Sequence, residues 1–216
     1  MTLEPHPLLP FLPRHAVMLF LGSFPPPRAR WSMEFFYPNW INDFWRVMGL
    51  IFYEDKTWFE VKGEKRFDKE RIAAFAEQQG FAFYDTASKV NRLKDNASDN
   101  FLEIVEPTDI GALLAQMPDC RRLITTGAKA SEQLQQQLTL ASGFDAAHLV
   151  PMPVIGSFTQ VRAWGRDLEW FRMPSTSRAY PLALEKKAEF YRRMLSSSLC
   201  RASSSPSATT LQSTSS

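Results

Sequence analysis

Apolar residues fall along this chain in short continuous runs separated by stretches with helical spacing. Four runs have strand character: AVMLFLG (16–22), FAFYDT (81–86), RLITTG (122–127) and LEWFRM (168–173), all short and rich in aromatic or β-branched residues. Between the first three lie segments whose apolar positions recur every three to four residues. Asn42 is placed to cap DFWRVMGLIF, Asp68 to cap KERIAAFAEQQ with Gly80 just past its end, and Thr108 to cap DIGALLAQM. AKASEQLQQQL follows the third strand, and LALEKKAEFYRRML begins after Pro181, a residue suited to a first helical turn. Strand–helix alternation of this kind predicts an α/β fold, a single domain of three α/β/α layers around a central, mostly parallel four-stranded sheet. One segment departs from it. In TQVRAWGRDLEWFRM the stretch Gly165 to Asp167 separates two aromatic-rich runs, which predicts a hairpin and one antiparallel edge.

With 216 residues, 44% hydrophobic and 22% charged, the chain has the composition of one ordinary globular domain. That domain is expected over residues 1–195. The remainder, SSSLCRASSSPSATTLQSTSS (196–216), has almost nothing to bury and is expected to be a disordered tail. The two cysteines, Cys120 and Cys200, lie outside any metal-ligand spacing, so no metal or other cofactor is expected and a reducing compartment is the natural setting. The apolar run from Ala16 to Leu21 is far too short for a membrane span, and MTLEPHPLLPFLP lacks a basic stretch leading into a long apolar one. These features point to a cytoplasmic protein.

A net charge of +2 implies no polyanionic partner by itself, so the position of the cations decides. In open α/β sheets, ligands bind outside the carboxyl ends of the strands. That rule selects GSFPPPRARWSMEFFYPNWIN, DTASKVNRLKDNASDN, TTGAKA and MPSTSRAY, which carry Arg28, Arg30, Lys89, Arg92, Lys94, Lys129 and Arg178. The first loop also holds Phe24, Trp31, Phe35, Phe36, Tyr37 and Trp40. Such rings either pack beneath the loop or leave one or two faces for a nucleobase.

GSFPPP after the first strand and MPSTS after the last together resemble the two motifs of the uracil-DNA glycosylase superfamily, a G-x-x-P loop such as GQDPY or GINPG and a second loop reading HPSP or NPSG. FFYPNWINDFW is similar to the Y-Y-x-H-P-x-N-x-F-W segment of the hypoxanthine-DNA glycosylase-like branch, and MPSTS to its LPSTS. The resemblance spans Ala16 to about Leu195, with DNASDN and TTGAKA between the motifs. It implies a monomeric DNA-binding enzyme that flips a damaged base out of the helix and hydrolyses its glycosidic bond. Extrusion costs a few kcal/mol, and stacking on one ring returns about 1–3 kcal/mol. On this resemblance Phe36 or Tyr37 is the stacking platform, and Gly22, Ser23 and Phe24 line the base site. Asp85 stands where uracil-specific relatives carry a base-reading asparagine; unlike an amide, an ionised carboxylate only accepts. Pro25, Arg28, Thr126, Gly127, Lys129, Ser175, Ser177 and Arg178 would contact DNA. Each has a plainer reading as a turn, capping or bracing residue.

Two positions depart from the family pattern. Phe24 stands where relatives often place the Asp or Asn that activates water, and Met173 where the HPSP group places a histidine that stabilises the departing base. Asp85 and Asn42 are the first candidates to replace the lost catalytic groups, with Asp43 and Asp99 behind them. The expected activity is removal of uracil, hypoxanthine or xanthine from DNA in base excision repair; the alternative is a catalytically silent binder of damaged or single-stranded DNA using the same pocket. A nucleotide-binding α/β protein finds no support, because no GxGxxG or GKS/T loop follows a predicted strand.

Overall fold

The protein is described by a computed structural model covering residues 2–93, 102–144 and 148–202. Lys94, Asp99 and the DNASDN segment lie outside the described residues.

The central sheet contains β2 (Met18–Gly22), β3 (Phe81–Asp85), β6 (Arg122–Thr126), β8 (Arg166–Met173) and β7 (Ser157–Ala163), in the order β3-β2-β6-β8-β7. The first four are mutually parallel and β7 runs antiparallel to β8. The sheet is therefore mixed and five-stranded, rather than the four strands predicted. Its extra strand is the arm of the expected hairpin, turned by Trp164 and Gly165, both at positive φ, as a two-residue loop between twisted strands requires.

Every residue of β2 is buried, because helices cover both faces of the sheet. Side chains alternate between those faces. Met18 and Phe20 join Phe83, Ile124 and Phe171 under α1 (Phe44–Tyr53), α2 (Lys69–Gln79) and α5 (Leu184–Ala202). Leu19 and Leu21 join Leu123 and Trp170 under α3 (Ile110–Ala115) and α4 (Ala128–Ala141). This is the three-layer arrangement. The helix α5 continues past residue 195, where the ordered domain was expected to end. Among the described residues, no helix is long and apolar enough to cross a membrane.

Helix ends follow the local chemistry with small shifts. Asp68 accepts from the Arg71 amide and Gly80 closes α2 at φ 65°. At α1 the N-cap position falls to Asp43, while Asn42 Oδ1 accepts from the Phe44 amide at 2.9 Å. At α3 Asp109 caps by accepting from Ala112, and Thr108 instead donates its hydroxyl to the Asp85 carbonyl at 2.7 Å.

A second, antiparallel sheet was not predicted. It has the order β1 (Thr2–Pro5), β4 (Ala87–Arg92), β5 (Leu102–Pro107). Its strands hid in the sequence because β5 is largely exposed and β4 has register irregularities around Lys89, which break the period-two pattern. Phe24, Ala87, Val90 and Leu102 form its small core.

Candidate functional site

The chain leaves β2 towards α1 on one face of the sheet and leaves β6 towards α4 on the other, so the two connections diverge where these adjacent strands part. In open α/β sheets the ligand crevice lies at such a switch point. Tyr37 spans it, its hydroxyl 3.0 Å from Thr126 Oγ1. The Tyr37 ring lies flat on Phe44 at 3.9 Å, and its backbone holds φ at 51°, a conformation uncommon for a bulky residue and concentrated at functional sites. Burial pushes the Tyr37 phenol well up from its ordinary range; the Thr126 hydrogen bond opposes this, and the charge of Asp85 adds to it. Tyr37 thus remains a neutral hydroxyl within the electrostatic reach of Asp85. Tyr84 is raised as well, by burial first and then by Asp85.

Asp85 ends β3 beside Gly22, its partner on β2. The Gly22 contact is close, since a methyl group there would fall 2.4 Å from Asp85 Oδ1. The other oxygen, Oδ2, is 2.9 Å from Nε2 of His6. Sequence reasoning missed His6, which precedes Asp85 by 79 positions and sits in a stretch with no motif.

The other predicted residues divide into groups. Ser23, Phe24 and Pro25 are buried. Phe24 meets the edge of the His6 ring at 5.3 Å, and Arg92 joins Pro25 O at 3.0 Å, so the first motif is braced by the second sheet. Phe36 is 4% exposed and packs against Phe83 and Phe35. Tyr37 is the member of the pair that keeps an accessible part. Met173 is buried in the main core.

The second motif adjoins the same crevice. Gly127, at φ 101°, packs its Cα side towards Ser175, and Asn42 bridges to Ser177. Ser175 Oγ accepts from the Ser177 amide and Ser177 Oγ from the Ala179 amide, each at 3.2 Å. The Asp43 carboxylate holds this loop from below, meeting Arg178 Nε at 3.0 Å and the buried Lys187 Nζ at 2.9 Å. Lys187 also donates to Ser177 O. Asp43 and Asn42 therefore have structural partners, whereas Asp85, its side chain 11% exposed, bonds through Oδ2 and keeps Oδ1 uncommitted by any hydrogen bond among the described residues.

The expected cationic rim is largely neutralised. Arg28 pairs with Glu34, Lys89 with Glu106, Arg92 with Glu4 and Arg178 with Asp43. Among the described residues, Arg30 and Lys129 have no such partner. Among the described residues, no three His, Cys, Asp or Glu side chains converge as metal ligands.

The fold is that of an α/β/α protein, with the candidate site at the carboxyl ends of the parallel strands of its mixed sheet. The chain is similar to a solved solution structure described as a "putative Uracil DNA glycosylase" from Methanosarcina acetivorans, at a TM-score of 0.57 and 18% identity over 90% of this chain and 99% of that one. The similarity is one of fold. No family model and no curated protein matches the sequence.

Proposed function

We propose that this chain is a DNA glycosylase-like enzyme of the uracil-DNA glycosylase superfamily, nearest its hypoxanthine-DNA glycosylase-like branch. It removes a deaminated base, uracil, hypoxanthine or xanthine, by flipping it into the crevice between β2 and β6 and hydrolysing the glycosidic bond. The reading has the chain working as a cytoplasmic monomer in base excision repair, without a cofactor. The observation that carries it is Asp85: a carboxylate at the carboxyl end of β3, the parallel strand at the edge of the main sheet, set against Gly22, with Oδ1 left to accept among the described residues. Deaminated bases present a ring N–H on their pairing edge, an imide in uracil and xanthine and a lactam in hypoxanthine, which suits such an acceptor.

In this reading Asp85 Oδ1 takes the base N–H, or orders the attacking water, while Tyr37 forms a wall and hydroxyl donor. Backbone amides of the two motif loops stabilise charge on the departing base as the sugar becomes oxocarbenium-like. Ser175, Ser177, Thr126 and Gly127 grip the flanking phosphates, and Arg28, Lys129 and Arg178 add positive charge.

The test is single-turnover excision on oligonucleotides containing uracil, hypoxanthine, xanthine or no lesion, single-stranded and duplexed, read by alkaline cleavage at abasic sites. Asp85→Ala is expected to reduce excision by about 10²-fold or more while leaving undamaged-DNA affinity nearly unchanged. A second reading, a silent lesion binder, is favoured by Phe24 and Met173, both buried and neither able to exchange a proton. Lesion-preferring binding with no cleavage by the wild type would select it.

A further inference from the structure

We infer that His6 is a positioning residue for Asp85, fixing which carboxylate oxygen meets the ligand; this rests on the glycosylase-or-binder reading of the crevice.

The geometry is that of a lock. An ionised carboxylate only accepts, so Nε2 of His6 carries the proton that Asp85 Oδ2 receives at 2.9 Å. The opposite nitrogen, Nδ1, faces the Leu8 main chain, 2.8 Å from its oxygen and 3.2 Å from its nitrogen. Both edges of the imidazole are therefore engaged, and its side chain is only 2% exposed. Tyr84 lies against the ring at 4.4 Å and the Phe24 edge at 5.3 Å, so the ring cannot swing away.

The segment bearing His6 is equally fixed. The His6 amide donates to Ser88 O at 2.8 Å, β1 pairs along β4, and Glu4 is held by Arg92. The same Arg92 braces Pro25 of the first motif loop. The second sheet thus supplies the central site with one functional side chain and steadies the loop beside it.

The consequence concerns recognition. With Oδ2 held by His6 and Oδ1 lying over Gly22, Asp85 offers one acceptor in one direction. It is a reader of a single ring N–H, which uracil and hypoxanthine carry and their parent bases cytosine and adenine lack, rather than a freely rotating carboxylate that could adapt to the amino groups of cytosine and adenine. His6 itself is buried and touches no substrate.

Two substitutions separate this role from simple packing. In His6→Gln the amide nitrogen occupies the place of Nε2 and can donate to Asp85. In His6→Asn the amide reaches only the position of Nδ1, keeping the Leu8 side and abandoning Asp85. Thermal unfolding checks that both are folded. Excision rate at saturating enzyme, affinity for undamaged DNA and preference for lesion over normal bases are then measured on the same panel. His6→Asn is expected to lose about 10²-fold in rate, the scale of a misplaced catalytic group, with undamaged-DNA affinity unchanged and lesion preference reduced. His6→Gln should retain most of both. If the wild type is a silent binder, lesion preference alone is read, with the same order of variants.

Equal behaviour of His6→Asn and wild type, or a greater loss in Gln than in Asn, overturns the inference while leaving the glycosylase reading intact. A wild type that neither excises nor prefers any lesion overturns that reading, and the inference with it.

Discussion

Gly22 shows how much at this site turns on single atoms. Its φ is ordinary, so the need for glycine is spatial: an added Cβ would lie 2.4 Å from Asp85 Oδ1, well inside contact distance. Gly22→Ala must push the carboxylate away from its present position or shift β3. Overpacking of this kind costs about 1–3 kcal/mol, and here the atom displaced is the one that meets the ligand in the proposed function. We expect a modest drop in thermal midpoint with a far larger loss of excision or lesion binding; a variant that keeps wild-type recognition would show that Asp85 Oδ1 is not the contact. At this scale the sequence made Gly22 and Asp85 legible, because each ends an apolar run and strand ends define the crevice. His6 was not legible, since only the pairing of β1 with β4 brings it to Asp85. Phe36 and Tyr37 were readable as a pair, and packing against Phe83 and Phe44 distinguishes them.

Among elements, the site depends on three chain segments meeting at Asp43. Its backbone amide donates to Thr176 O at 2.9 Å, and its carboxylate binds Arg178 and the 1% exposed Lys187. The start of α1, the second motif loop and α5 are thereby stapled together. Removing one partner of a buried pair leaves an uncompensated charge and costs about 3–5 kcal/mol. Asp43→Ala should therefore lower stability by about that amount, measured by denaturant unfolding, and loosen the 174–178 loop. Adding Lys187→Met should restore much of the loss, because the double variant buries no lone charge. Were the double variant as unstable as the single one, packing rather than charge would be the cause. The central strands and helices that this staple joins were legible as periodic runs. The second sheet was not, because its irregular register and exposed outer strand erase the alternation that marks a strand.

For the whole molecule, the question is how a chain of net charge +2 could hold a polyanion. Loop cations inferred from sequence suggested a basic rim, yet four of them spend their charge on Glu34, Glu106, Glu4 and Asp43. The sequence could not show this, because two of the carboxylates, Glu4 and Asp43, lie far along the chain from the arginines they meet. Arg30, exposed after β2, and Lys129, in the first turn of α4, have no ion-pair partner among the described residues and lie on the carboxyl edge of the sheet. Each should then carry a larger share of phosphate contact than its neighbours. Arg30→Glu and Lys129→Glu are each expected to weaken binding to undamaged DNA and to reduce the salt dependence by about one unit of slope. The control is Arg14→Glu, the same change in net charge at an exposed residue just before β2, at the opposite end of the sheet. Fluorescence anisotropy across a salt series distinguishes the outcomes. Equal effects at all three positions would mean that DNA senses only overall charge. A loss confined to Arg30 and Lys129 would place the nucleic acid across the crevice, where Asp85 can meet an extruded base.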